Sequence, residues 1–420
     1  MRKPTIVVAV HDGWYGAGTG AGRTNRTFLR LLSEVVAAHI RLVVLPVRLV
    51  PGSAEFDPAW HRESLALVRE TSIVRPIDNG TGGLTRFGGL AAFRRLSANT
   101  AAALCADILP AAEPLHIILF DVPFFGVMPL LPCDVAGNAT VIPRSTAQLH
   151  DPTNTERIAW ERLGLHATVR RGGRIAAISP YMRRHLCQAY GIPDRAIVDL
   201  PNGLVPDEIA SGIGRPLPEA ARGGFLLAMG RAHRYKGFDD LLDALPLVKS
   251  ADTPHLLLAA VTEEATPDAY QRRLAARIRD ERANATLLPL FDAGIRGWLA
   301  HPALRAVIVP SRAEPFGRVP AEAFAAGAAP VVATTAGGLA DQVIDGYTGY
   351  TAQPADPASL AAAIGRALRA DPATIEAMRA AGRRFVRERL DYALTVRRFL
   401  DQATPWAVGD RVSRLGGSPP

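Results

Sequence analysis

The sequence predicts an α/β protein of two Rossmann-like domains that face one another across a cleft, and three observations carry that prediction. The chain has 420 residues, more than one hydrophobic core commonly serves, because cores stop growing at roughly 250–300 residues. Short β-branched or aliphatic runs alternate with longer helical patterns, as in a parallel sheet with crossover helices. A Pro/Gly-rich joint, "SGIGRPLPEAARGG" at 211–224, separates one such series from a second.

In chain order, the strands of the first series are expected at "TIVVAV", "RLVVLPV", "LHIILF", "ATVIP", "RIAAIS" and "AIVDLPNG". The second series supplies "FLLAMG", "HLLLAAV", "ATLLPLF", "AVIVPS" and "PVVATTAGG". The domains are therefore expected at 1–205 and 206–384. The stretch "RRFVRERLDYALTVRRFLDQ" has amphipathic helical spacing and is expected to form a helix over 385–408 that crosses back to the first domain. Residues 409–420, "GDRVSRLGGSPP", have the composition of a flexible tail. In such folds ligands bind at the carboxyl ends of the strands, which here line the cleft.

Hydrophobic residues at 48% with aromatics at 6% describe a soluble protein built from Ala, Val and Leu. No apolar run reaches the roughly 18 residues of a membrane span, and the N-terminus enters a strand without a signal-peptide pattern. Cys105, Cys133 and Cys187 are odd in number and lack C-x-x-C spacing, so neither a disulfide framework nor a zinc site is expected. The reading is of a cytoplasmic enzyme; oligomeric state is not legible. A net charge of +8 comes without any K/R-rich block, which argues against nucleic acid as a partner. Arginine outnumbers lysine forty-five to three, so Lys236 inside "GRAHRYKGF" stands out.

Two stretches invite chemistry. "GAGTGAGRT", Gly16 to Thr24, sits between a strand and a helix, yet the P-loop frame that fits Gly22 and Thr24 puts Ala17 for its first glycine and Arg23 for its lysine. Glycines at every second residue also fail the dinucleotide pattern. The denser signal is "PSRAEPFGRVPAEAFAAGAAPVVATTAGG", where Glu314 and Glu322 lie eight apart. The first is in a loop after a buried strand, beside a glycine that permits close backbone approach; the second enters a helix.

Here the sequence resembles retaining GT-B glycosyltransferases of the family 4 type, marked by E-P-F-G and a second glutamate eight residues on. The resemblance extends through "GRAHRYKGFDDLLDAL", "ISPYMRRHLCQAYGIP", "LPNGLVPDE", "GGLADQVIDGYTG" and "DPASLAAAI", covering residues 171 to 370 well and the first 150 loosely. It implies a nucleotide sugar as co-substrate, with no further cofactor. Arg231 and Lys236 match the cations that stabilise the leaving diphosphate. With no D-x-D motif to hold a divalent ion, no metal is expected. Glu322 matches the acceptor of ribose hydroxyl bonds, and Glu314 the residue beside the transferred sugar. Gly230, Phe316, Gly317, Arg318 and Val319 complete the donor site, helped by the positive end of the helix that follows. Arg318 stands where the pattern has an aliphatic residue. The loop holding Gly16 and Gly18 becomes the opposite jaw of the cleft, and His150 resembles a first-domain histidine near the reacting sugar, with His11 the alternative.

The opening "HDGWYGAGTGAGRTNRTFL" is similar to actinobacterial glycosyltransferases that add the second sugar to a 2-deoxystreptamine pseudodisaccharide such as paromamine during aminoglycoside biosynthesis. The donor is then UDP-linked, UDP-xylose or a UDP-hexose. A polycationic acceptor calls for carboxylates, and Asp12, Asp121 and Asp151 fall where first-domain strands end. Competing readings are transfer to another glycan or lipid, a sugar-nucleotide epimerase on the same scaffold, and an ATP- or DNA-binding regulator.

Overall fold

The computed structural model describes residues 2–16, 20–206, 216–249, 253–262, 266–290, 292–328 and 330–409. Gly18, part of the joint, and the tail from 410 onward lie outside the described residues.

Two all-parallel sheets form the molecule. The first holds β1 (Lys3–Val10), β2 (Arg41–Pro46), β3 (Ile73–Val74), β4 (Ala112–Phe120), β5 (Ala139–Ile142), β6 (Arg174–Ala177) and β7 (Ile197–Asp199), in the order β3-β2-β1-β4-β5-β6-β7. The second holds β8 (Phe225–Arg231), β9 (His255–Val261), β10 (Ala285–Leu287), β11 (Leu304–Val309), β12 (Val331–Thr334) and β13 (Tyr350–Ala352), in the order β10-β9-β8-β11-β12-β13. Helices cover both faces of each sheet, which is why the central strands read as continuous apolar runs and Ile6 to Val10 are wholly buried. Strands β3 and β13 escaped the sequence reading. At two and three residues on the sheet edges, they lack the longer apolar runs, "AIVDL" and "ATLLPLF", that marked the equally short edge strands β7 and β10.

In each sheet the strand order reverses once, between β1 and β4 in the first and between β8 and β11 in the second. Chain leaving these neighbouring strands turns in opposite directions, opening a crevice at their carboxyl ends. Asp12 follows β1 and Asp121 follows β4; Lys236 follows β8 and Glu314 follows β11. All four line one cavity of ≈ 490 Å3.

Two of the helices matter most here: α1 (Gly20–Val35), which follows β1, and α2 (Arg318–Ala325), which follows β11. At Gly237, φ is +68° and a Cβ would stand 1.9 Å from the Pro310 carbonyl oxygen. Only glycine lets the turn after β8 lie against the loop after β11.

The terminal segment corrects the single helix expected over 385–408. It is two helices, α3 (Pro372–Arg389) and α4 (Tyr392–Ala403), with Asp391 accepting from the Leu394 N–H as the N-cap of the second. At the break the chain passes between domains: Leu204 N–H donates to Leu390 O at 2.8 Å, and Tyr392 N–H to Leu204 O at 3.2 Å. Helix α4 then crosses back and packs on α1, with the Phe28 and Phe399 rings 6.2 Å apart. Amphipathic periodicity continues through the break, so the pattern alone did not disclose it.

Candidate functional site

The second-domain wall is built on short turns after β8 and β11. Lys236 Nζ donates to Glu314 Oε2, forming an ion pair in which both side chains are largely buried. Ser311 Oγ lies 3.4 Å from the same carboxylate oxygen. Arg231 Nη2 donates to the Tyr235 hydroxyl at 2.5 Å. Gly317, at φ +93°, ends the loop and starts α2 without any side-chain cap. Gln342 Nε2 donates to the Phe316 and Gly317 carbonyls and so fixes the peptide planes from behind. The first N–H groups of α2 have no intrahelical acceptor, and together with the helix dipole they favour an anion there.

One turn into α2, Glu322 Oε1 accepts from Arg318 Nε at 3.2 Å and pairs with Arg296 Nη2 at 3.1 Å. Burial pushes the Arg296 pKa down, and the neighbouring Arg318 charge pushes the same way against the pull of Glu322. Arg318 also reaches across the cleft. Its Nη1 donates to Thr24 Oγ1 on α1 at 3.1 Å, and a Cβ at Gly20 would meet its Cδ at 3.1 Å. Beside this link, the ring of His150 from the first domain stacks on Tyr235 from the second, centroids 4.2 Å apart. Burial, then Lys236 and Arg231, lowers the His150 pKa to about 3. The ring is therefore neutral, and its buried Nδ1 has no hydrogen-bond partner.

The first-domain wall is organised around two arginines. Arg86 pairs with Asp12 and with Glu55, and its side chain is only 4% exposed. Arg144 Nε donates to Asn25 Oδ1 at 2.8 Å, its Nη1 to Asn202 Oδ1 at 2.5 Å and its Nη2 to the Tyr392 hydroxyl at 3.3 Å. Asp121 accepts from Asn25 Nδ2 at 3.1 Å and from the Arg144 N–H at 3.3 Å. Its backbone lies at φ 70°, ψ 162°, a region nearly reserved for glycine that costs about 1–3 kcal/mol and persists where surroundings enforce it. Burial pushes its pKa up to about 6, against the opposing pull of Arg144. His11 is buried with Nε2 3.2 Å from the Arg86 carbonyl, and burial lowers its pKa to about 4. Asp151 is exposed, and its carboxylate accepts from Thr153 Oγ1 and Asn154 Nδ2 within its own turn.

The structure thus gathers Glu314, Arg231, Lys236, His150, Gly230, Phe316, Gly317, Arg318, Val319, Glu322, Asp12, Asp121 and Asp151 around one cavity, together with His11. Gly16 is not among the lining residues; a Cβ there would meet the Glu55 carbonyl oxygen at 3.1 Å, away from the opening. The glycine-rich jaw is represented at the cavity by Gly20, Ala21 and Arg23 at the start of α1. Sequence reasoning missed Tyr235, Arg296, Arg144, Asn25, Arg86 and Phe87, all but two of which line the cavity, Asn25 and Arg86 standing behind it. Tyr235, inside "GRAHRYKGF", and Asn25, inside "HDGWYGAGTGAGRTNRTFL", were the two that quoted motifs already contained. Among the described residues, no helix is long and apolar enough to cross a membrane.

Comparisons with known proteins find similarity to glycosyltransferases. Residues 224–370 match the family profile described as "Glycosyl transferases group 1". The chain is 31% identical over 224 residues to a glycogen synthase of Mycobacterium tuberculosis, covering 53% of this chain and 52% of that protein. It is 31% identical over 279 residues to a D-inositol 3-phosphate glycosyltransferase of Thermomonospora curvata, covering 60% and 61%. The aligned part spans about half the length of the first of these relatives and somewhat more of the second. Among solved structures, sucrose-phosphate synthase from Thermosynechococcus elongatus superposes with a TM-score of 0.72 at 19% identity, over 96% of this chain and 99% of that one. Anabaena HepE in complex with UDP-glucose superposes at 0.65 and 18% identity, over 96% and 99%. The two-sheet architecture is the GT-B fold.

Proposed function

We propose that the protein is a retaining glycosyltransferase that moves a sugar from a nucleotide sugar, UDP-linked in this reading, to a hydroxyl of a small acceptor. One observation carries the reading: Lys236, paired with Glu314 and flanked by Arg231, sits at the second sheet's reversal point beside the uncapped start of α2. Such an arrangement suits a diphosphate. The match of residues 224–370 and the UDP-glucose bound to HepE support the donor class.

In the reaction the bond between the anomeric carbon and the phosphate oxygen breaks as the acceptor oxygen bonds to that carbon on the same face. The acceptor's proton passes to the departing phosphate. Lys236 and Arg231 stabilise the charge that grows on the diphosphate, so no metal ion is required. Glu322 accepts from the ribose hydroxyls, exchanging part of its contact with Arg318 and Arg296 for them. Glu314 and the neutral ring of His150 lie beside the transferred sugar. The acceptor is a polyhydroxylated amine, a paromamine-like pseudodisaccharide, met by Asp121.

The test is a panel of UDP-sugars offered to the full chain in EDTA, with and without paromamine, followed by thermal shift and by product mass. Stabilisation by a UDP-sugar and a product heavier by one glycosyl unit are expected. Isomerised free sugar without acceptor would replace this reading with an epimerase.

A further inference from the structure

Among the described residues that line the cleft, Phe87 is an aromatic side chain that the donor chemistry leaves unused. Phe87 lines the cavity with 53% of its surface open, although burying a Phe side chain is worth roughly 1.5–3 kcal/mol. Its exposure does not come from a loosely held loop. In residues 78–89, "DNGTGGLTRFGG", Asn79 Nδ2 donates to the Thr85 carbonyl at 2.9 Å and Thr81 Oγ1 to Asn79 Oδ1 at 2.6 Å. The Phe87 N–H donates to Thr85 Oγ1 at 3.1 Å. The preceding residue, Arg86, is clamped by Asp12 and Glu55. The ring is fixed edge to face against His11, centroids 4.9 Å apart.

The same network runs on to Asp121. Asn25 Nδ2 donates both to the Asp12 carbonyl and to Asp121 Oδ2, each at 3.1 Å. The Phe87 ring, with the Arg86 guanidinium carbon 5.2 Å from its centroid on one side and 53% of its surface open, therefore shares one wall with a carboxylate held in a strained backbone. We propose that this wall is a subsite for a saturated, hydroxylated and amino-bearing ring, which stacks its C–H face on Phe87 and turns its amino edge to Asp121. The inference rests on the transferase reading above and names its acceptor side. Positively polarised C–H groups are drawn to the negative face of the ring, and a nearby ammonium adds a cation–π term.

Saturation-transfer NMR on the full chain with UDP present tests it, using 2-deoxystreptamine and, separately, myo-inositol as probes. Aromatic saturation should reach the ring protons of deoxystreptamine, which should bind more tightly than the uncharged cyclitol. Phe87→Ala should weaken deoxystreptamine binding about tenfold, the scale of one aromatic contact of roughly 1.4 kcal/mol. Phe87→Trp should retain it, and both variants should bind UDP as the parent does. The subsite is overturned if Phe87→Ala binds deoxystreptamine normally, if the parent binds UDP but neither ring, or if myo-inositol binds as tightly as the amine. A parent that binds deoxystreptamine but not UDP would instead tell against the donor assignment and leave the subsite standing.

Discussion

The two walls of the cleft are built by the same topological device and both pair cations with carboxylates, but they draw those residues from the chain in different ways. The second-domain wall places cations, two glutamates and an uncapped helix start within a compact span of sequence, from Glu314 to Glu322 plus the turn 231–236. The first-domain wall draws Asp12, Arg86, Asp121 and Arg144 from four separate connections and holds them in hydrogen-bonded pairs. One wall is a local motif; the other is an assembly visible only after folding. If the donor side does the chemistry and the acceptor side does the selecting, substitutions on the two should separate cleanly.

The largest effect is expected at Lys236. Lys236→Ala should lower kcat/KM for transfer by roughly two to three orders of magnitude, the scale of removing a preorganised electrostatic donor, with acceptor binding unchanged in saturation-transfer NMR. Glu322→Gln should come next, weakening UDP binding about tenfold by the loss of a charged acceptor for two ribose hydroxyls, on the scale of a hydrogen bond to a charged group. Isothermal titration with UDP measures it. Equal effects of either substitution on donor and acceptor would erase the contrast between the walls.

Asp121 sharpens the comparison through pH. Its folded pKa of about 6 lies above the ordinary 3.8 because burial outweighs Arg144 and Asn25 and Asp12 adds repulsion. Between those values the folded chain holds a proton that the unfolded chain has released. Stability contributed by this group is thus present at low pH and lost as pH rises through 6. Acceptor affinity should move the other way, falling as pH drops below about 6, while Asp121→Asn should flatten both dependences. Denaturant melts and acceptor titrations from pH 4.5 to 7.5 check this. The smallest effect belongs to Asp151→Asn, which should change stability by less than about 0.5 kcal/mol, since that exposed carboxylate accepts its hydrogen bonds from Thr153 and Asn154 in its own turn.

What the sequence disclosed follows the same division. Long apolar strands such as β1 and β9 and the E-x7-E spacing are local, so they could be read before folding. The edge strands β3 and β13, the break at Leu390 and the Arg86–Asp12 pair depend on partners far along the chain. "DNGTGGLTRFGG" looks like an ordinary glycine-rich loop until its anchoring to Glu55 and Asp12 is seen. Likewise Arg318, an odd residue at its position in the pattern, becomes intelligible as the side chain that spans from Glu322 to Thr24.

The central claim is that side-chain cations of the second domain hold the donor's diphosphate. Isothermal titration of the parent and Lys236→Ala with UDP, both in EDTA, tests it most directly. The account predicts saturable binding to the parent without added metal and binding at least about tenfold weaker in the variant. Binding that appears only with magnesium or manganese, or equal affinity in the two proteins, would contradict it.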